Sequence, residues 1–582
     1  MDIKRNRVAM AGRFLNPCCF PASLSFLSVS DSEREMRLVT LVTLTNAILV
    51  GLSLCLTRTR AHSGFGVDYC DGDQNQKAFD ATDASRIRAA LRCCAILETH
   101  FPENVHWPSS TAYDTQQQSY YSGEQASLSP ACRVSPSTAS DVSTIITVAR
   151  ENHCQFAVRT GGHGTWNGAS NIGPNGFTID MQMLRGVDLS LSTSEDGNGY
   201  GSGSFVAVGA GCRWTDVYAA LRPWNLTVVG GRVGDVGVAG FLLGGGIGFL
   251  SSEHGFGSDN VLNYEVVLAD GSIVNANTEE HADLFWAFKL GSTNFGIVTR
   301  FDLAAFPQGQ VWGGSRFYAV KDARDLLDGL VSFTSTNGNK LKGFFGLLIA
   351  WEPTQKDYIV WSLQTFLEPV AHPPSNSWPS FKSLTPLVDM MGIRDLVDIT
   401  EEFKDADPGK QGRSHWLTMT YKADAQFHMD IHAKGVEIFE AYQDRPGVQW
   451  GVGIQATPNV KASLRNGGNP ARLSEGEDDL WVLIITTNWI DPADDVVMKV
   501  NSQALLEWAE NEAQARGIFH PYIYMNYAYG GQSVLERSVD EESLRRMREV
   551  KMAYDSSGVL DELWPGGFKL RLRNDVHDRS EL

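Results

Sequence analysis

The chain has 582 residues, 43% of them hydrophobic and 20% charged, enough to bury a large core and on length alone equivalent to roughly three or four domains. Its net charge of −19 excludes the basic face that nucleic-acid binding requires. The 56 glycines are spread through predicted strands and turns, so they indicate tight loops and not low complexity.

The first landmark in the chain is the uncharged run LVTLVTLTNAILVGLSLCL, Leu38 to Leu56, with Arg37 before it and Thr59-Arg60-Ala61 after it. That pattern predicts a secretory signal from Met36 to about Ala61, and hence an extracellular protein with no membrane association after cleavage. Met36 makes a conventional start, so Met1–Glu35 reads as an artefact of the gene's annotation. An uncleaved membrane anchor, since the run is close to the roughly 20 residues a span needs, and no targeting at all are the alternatives. None of the nine cysteines forms a CxxC pair, and no metal site is expected. In a secreted chain one or two disulfides are expected, with Cys132 joined to Cys93 or Cys94. Asn225-Leu226-Thr227 is a glycosylation sequon, or a half-buried, unmodified segment beside Trp224.

Further along, apolar spacing predicts a helix over Ala84–Leu97, a polar, Tyr-rich surface connection over Ser109–Gln125, and an amphipathic helix over Ser140–Arg150 capped by Ser137 or Ser140. Gln155-Phe-Ala-Val-Arg-Thr-Gly-Gly-His-Gly164 then runs from a strand into a turn. Gly161, Gly162 and Gly164 leave backbone N–H groups uncovered, a nest for anionic oxygens. Arg159 adds a positive charge at the turn's entrance, Thr160 follows it, and His163 sits at the tip as a nucleophile. An ordinary Gly-rich turn with an exposed histidine is the plain alternative. Strands are predicted at Phe177–Met181 and Phe205–Gly209 and a helix at Trp214–Leu221.

The second glycine-rich region, Gly230–Gly248, is too rich in glycine to pack as a regular helix; close backbone approach to something flat or anionic is its expected use. Asp270-Gly271 predicts a hairpin, Ala282–Lys289 a helix, and Tyr522 onward a Tyr-rich strand. Short strands alternating with helices argue for an α+β fold. Gly451-Val-Gly-Ile-Gln-Ala456 matches a dinucleotide fingerprint formally, but Pro458 interrupts the helix it should open. No phosphate loop, zinc helix or nucleophile elbow occurs.

Arg159-Thr-Gly-Gly-His-Gly164, the Gly237–Gly248 run, Asp259-Asn-Val261, Asp283-Leu-Phe-Trp286 and Asn294-Phe-Gly-Ile-Val298 resemble, in order and spacing, the flavin-binding domain of the p-cresol methylhydroxylase/vanillyl-alcohol oxidase superfamily. Tyr524-Met-Asn-Tyr527 and the later Val550-Lys551 with Tyr554-Asp555 are similar to its berberine-bridge-enzyme branch, the fungal secreted type. The resemblance runs from about Gln125 to Leu570. It implies an FAD domain of two α+β lobes, a substrate domain built on an antiparallel sheet with helices behind it, and a C-terminal berberine-bridge segment. The expected boundaries are a leader and signal at 1–61, an N-terminal region at 62–124, the FAD domain at 125–308, the substrate domain at 309–505, the C-terminal segment at 506–570 and a tail at 571–582.

The resemblance also implies that FAD is held by Arg159, Thr160, Gly161, Gly162, Gly164, Val233, Gly237, Gly240, Gly244, Gly245, Asn260, Val298 and Asn526, and covalently by His163. A second attachment common in the family needs a cysteine where this chain has Val233, so a single bond is expected; Cys212 reads as a core thiol. Val236 takes the position that gates oxygen, where valine marks oxidases. Tyr527 would be the catalytic base, with Tyr524, Asn526 and Gln455 around the substrate. On strand geometry Tyr524 and Asn526 share a face opposite Tyr527, unless a bulge intervenes. The implied activity is an oxidase that moves hydride from an alcohol, sugar, amine or secondary-metabolite carbon of a small-molecule substrate to flavin and then to O2. A dehydrogenase using a quinone-like acceptor and an inactive binding protein of the same fold are the alternatives.

Overall fold

The computed structural model describes residues 72–570, except 193–202, 337–341, 375–377, 380, 382, 408–411, 465–466 and 475–478. The expected signal over Met36–Ala61 and the segment before it lie outside the described residues. No helix among the described residues is long and apolar enough to cross a membrane.

The fold is α+β, built on three main sheets. In a four-stranded sheet the order is Val105–His106, Arg133–Val134, Gly176–Asp180, Gln155–Arg159, and the strands either side of Gly176–Asp180 run parallel to it. The connection between Gln155–Arg159 and Gly176–Asp180 carries the first glycine turn, which leaves the carboxyl end of a parallel strand, where ligands of open parallel sheets collect. A five-stranded antiparallel sheet follows, in the order Val187–Ser190, Phe205–Gly209, Ile297–Ala304, Val261–Val267, Ile273–Asn277. Its last two strands are the hairpin expected at Asp270-Gly271, where Gly271 takes φ +89°.

The third sheet has nine strands, and its centre is Gly343–Glu352, Gln449–Ala456, Leu480–Trp489 and Arg413–Lys422. Helices Ala323–Thr336, Ala425–Phe439 and Asp495–Ala515 cover one face. Along Gln449–Ala456 every residue after the first is buried, so the opposite face is enclosed as well. Residues from Trp312 to Ala513 form their own apolar core around this sheet. The two smaller sheets share another with the C-terminal helices Glu541–Tyr554 and Val559–Leu563. The formal dinucleotide fingerprint at Gly451–Ala456 lies inside a central strand and opens no helix.

Several local expectations need correction. The amphipathic helix spans Ala139–Glu151, and Thr138 caps it, in a reciprocal box with Asp141; a side-chain acceptor at Thr138 is one residue nearer the first turn than Ser137. Ser109–Gln125 is no surface connection: it forms helices Thr111–Gln118 and Gly123–Ala126, and Tyr113, Tyr120 and Tyr121 are buried. The second glycine run contains one short helix, Val238–Leu243, because its residues between Gly237 and Gly244 include only one glycine. The expected strand at Tyr522 is largely irregular and closes in a 3-10 turn at Met525–Tyr527.

Cys94 bonds Cys132, and Cys93 bonds Cys154; the second pair had no sequence signal. Both tie helix Gly72–His100 to the four-stranded sheet region. Replacing Cys94 and Cys132 together by serine is expected to lower the free energy of unfolding by about 2–4 kcal/mol, read as a lower urea midpoint. An unchanged midpoint would mean that packing alone holds the helix.

Candidate active site

A cavity of about 440 Å³ opens where both glycine turns, the enclosed face of the nine-stranded sheet and the C-terminal segment meet. The two turns touch through their backbones. A Cβ on Gly161 would lie 2.3 Å from the Gly237 nitrogen, and one on Gly237 would lie 2.4 Å from the Gly161 nitrogen. Neither position tolerates a side chain. Gly162 takes φ +69° and Gly240 faces open space; with Thr160, Gly164 and Gly244 they line the cavity. Val233, Val236 and Val298 line it too.

Three expected cofactor contacts lie elsewhere. The Arg159 guanidinium is buried, 2.7 Å from the Asp180 carboxylate on the neighbouring parallel strand and under the Tyr120 ring. Asp180 and Arg133 make a second contact at 3.6 Å, so this charge is consumed inside the lobe and not offered to a ligand. Asn260 spends its amide on the carbonyls of His254 and Phe256, bracing the loop behind the cavity. Gly245, at φ +101°, backs onto Phe256.

His163 reaches the cavity with its imidazole stacked on Tyr121 at 4.1 Å, and Trp416 lies 6.2 Å away. Its Nε2 is buried and 3.5 Å from Asp235 Oδ1, outside hydrogen-bond geometry. The Tyr121 hydroxyl donates to Asp407; burial and the Asp407 charge hold that phenol well above its ordinary range.

The 3-10 turn brings Tyr524 and Tyr527 together, edge to face at 4.9 Å, and not on opposite faces as strand geometry would have it. The Tyr524 oxygen accepts the Ile247 N–H at 2.7 Å. Burial pushes the Tyr524 phenol far above its usual range, so it stays protonated. The Tyr527 oxygen instead accepts Arg232 Nη2 at 2.7 Å, and that guanidinium rests on Phe344. Asn526 donates to the Phe241 carbonyl at the end of the short helix, and a Cβ on Gly244 would strike its amide. Gln455 is buried in the cavity wall, and neither its Oε1 nor its Nε2 has a partner.

Sequence reasoning missed Tyr121, Asp235, Arg232, Trp416 and Asp407. Arg232 and Asp235 lie within the segment singled out for its missing cysteine. Trp416 and Asp407 carry no local pattern, because a nine-stranded sheet and the end of a distant helix deliver them.

Two backbone-lined turns that exclude side chains, an open glycine face, an imidazole and unpaired buried amides fit a flat, diphosphate-bearing cofactor. The FAD binding domain family matches residues 130–277. The chain is 34% identical over 514 residues to FAD-dependent monooxygenase tpcD of Cochliobolus heterostrophus, covering 84% of this chain and 94% of that protein. Among solved structures, 6-hydroxy-D-nicotine oxidase from Arthrobacter nicotinovorans superposes with a TM-score of 0.64 at 19% identity, over 79% of this chain and 97% of that one. A berberine bridge enzyme variant superposes with a TM-score of 0.60 at 15% identity, over 79% and 95%. The chain therefore belongs to the FAD-dependent oxidoreductases with an FAD binding domain, and it shares its fold with the berberine bridge enzyme.

Proposed function

We propose that the protein is an oxidase that dehydrogenates a hydroxylated carbon of an apolar small molecule, with Tyr527 as the base. The observation that carries this reading is the 2.7 Å contact between Arg232 Nη2 and the Tyr527 oxygen. A phenol is a poor base near neutral pH unless its anion is stabilised. A guanidinium aimed at that oxygen, beside a desolvated wall, supplies the countercharge for the phenolate that takes the substrate's hydroxyl proton. FAD, when bound, supplies the two-electron acceptor that takes the hydride and hands the pair to O2 as hydrogen peroxide. Gln455, with both amide atoms unpaired, offers one donor and one acceptor to orient the substrate. Leu347, Leu348, Ile454, Val482 and Ile484 from the large sheet, with Trp361 and Trp416, favour an apolar ring system such as a secondary metabolite over a sugar chain.

His163 would carry the cofactor covalently and alone. Val233 lines the cavity without a nucleophile, and burial pushes the Cys212 thiol up to about 12, inside the core. The uncharged run Leu38–Leu56 supports an extracellular setting, where a tethered cofactor cannot be lost by dilution.

A second reading, insertion of one oxygen atom into the substrate, draws on the name of the relative tpcD. The stoichiometry separates them: the oxidase releases one peroxide per product, whereas a monooxygenase carries labelled oxygen into product.

Three outcomes are expected. Tyr527→Phe slows anaerobic flavin bleaching roughly 10²–10⁴-fold while leaving the flavin attached, and Arg232→Met slows it in the same direction; an unchanged reductive half-reaction in Tyr527→Phe rules out the base role. Mass spectrometry of a tryptic digest finds flavin on the His163 peptide alone, and flavin released intact by acid defeats the covalent reading. Val236→Leu slows reoxidation in air by about tenfold or more, since one extra methylene narrows the path; equal reoxidation rates would make Val236 mere packing.

A further inference from the structure

We infer that Asp235 is a positioning residue for the attachment of FAD to His163; this rests on the covalent reading above. The two ring nitrogens of His163 differ in their surroundings. Nε2 is sealed from solvent, with no hydrogen-bond partner, and 3.5 Å from Asp235 Oδ1. Nδ1 is not sealed in this way, and the ring itself lines the cavity. A neutral imidazole holds one proton, and the nitrogen that lacks it is the nucleophile. A carboxylate beside Nε2 favours the tautomer with the proton there, which leaves the lone pair on Nδ1.

The fold holds both partners in place. Asp235 sits between Gly234, whose N–H is bound to the Thr400 carbonyl, and Val236, whose carbonyl accepts the Trp214 N–H. Two residues on is Gly237, pressed against Gly161, which lies two residues before His163. Tyr121 stacks on the imidazole and prevents the ring from turning away. Arg213 and Lys404 attract the Asp235 charge, and Glu401 and the Tyr121 phenol also face it.

The net attachment replaces one C–H of the flavin 8-methyl group and one imidazole N–H by a C–N bond. The two electrons and two protons released reduce one O2 to hydrogen peroxide. As Nδ1 gives its lone pair to carbon the ring becomes cationic. The Asp235 carboxylate stabilises that charge and accepts the Nε2 proton, which then passes to water. Neither glycine turn offers another carboxylate within reach of this nitrogen among the described residues.

The test uses the full chain as wild type, Asp235→Asn and Asp235→Glu, each incubated in air with excess FAD. Acid-stable flavin is followed over time, and reversible FAD affinity is measured on the same samples. Asp235→Asn is expected to bind FAD as tightly as wild type but to form the bond roughly 10–100-fold more slowly, with Asp235→Glu recovering part of the rate. Attachment by Asp235→Asn at the wild-type rate overturns the inference. So does a loss of reversible binding in both variants that accounts for the whole decline, since Asp235 would then only shape the loop. If wild type itself carries no acid-stable flavin, the covalent reading fails and this inference with it, an outcome distinct from the other two.

Discussion

The site depends on the contact between Gly161 and Gly237. Each backbone occupies the space where the other's side chain would be, so the two turns come together only as glycine. One turn leaves a parallel strand of the four-stranded sheet, and the other precedes helix Val238–Leu243. Their meeting makes one wall out of two lobes and sets His163, Asp235, Val233 and Val236 along it. Backbone amides at such a wall bind by position, without a charge of their own.

The distribution of charge follows the same economy. Two cations beside the first turn, Arg133 and Arg159, are both committed to Asp180 in the interior of the lobe, while Arg213 donates to the turn's Gly161 carbonyl at 3.3 Å. A buried arginine left without that carboxylate would be a large penalty, which is why Arg159 serves the strand and not a ligand. Arg232 is different. It reaches into the cavity, rests on Phe344 and directs one nitrogen at the Tyr527 oxygen. Its Nε is buried without a partner.

The nine-stranded sheet contributes by being covered on both faces. Helices pack on one side, and the cavity takes the other. A strand enclosed on both sides reads as an apolar run in which any polar residue stands out. Gln455 is the buried polar residue on Gln449–Ala456, and its unpaired amide is costly unless a ligand completes it. The 3-10 turn at Met525–Tyr527 does for the tyrosines what a strand could not: it places Tyr524 and Tyr527 on one side, one phenol tied to the backbone at Ile247 and the other to a guanidinium.

Local chemistry alone determined much of this protein. Period and turn residues were enough for the helix at Ala139–Glu151, the hairpin at Gly271 and the α+β class, whereas the flavin family rested on a resemblance that the glycine runs and His163 carry only together with the motifs at Asp259, Asp283, Asn294 and Tyr524. These properties are carried by neighbours in the chain, where spacing is geometry. Only the tertiary structure decided which side chains reach the cavity. Arg159 looked available because its partner, Asp180, is a register neighbour on another strand. Tyr121 looked like surface because the ring that covers it, Trp416, arrives from another sheet. Asp235 and Arg232 stood in plain view, but their meaning depends on distances to His163 and Tyr527 that no spacing along the chain encodes.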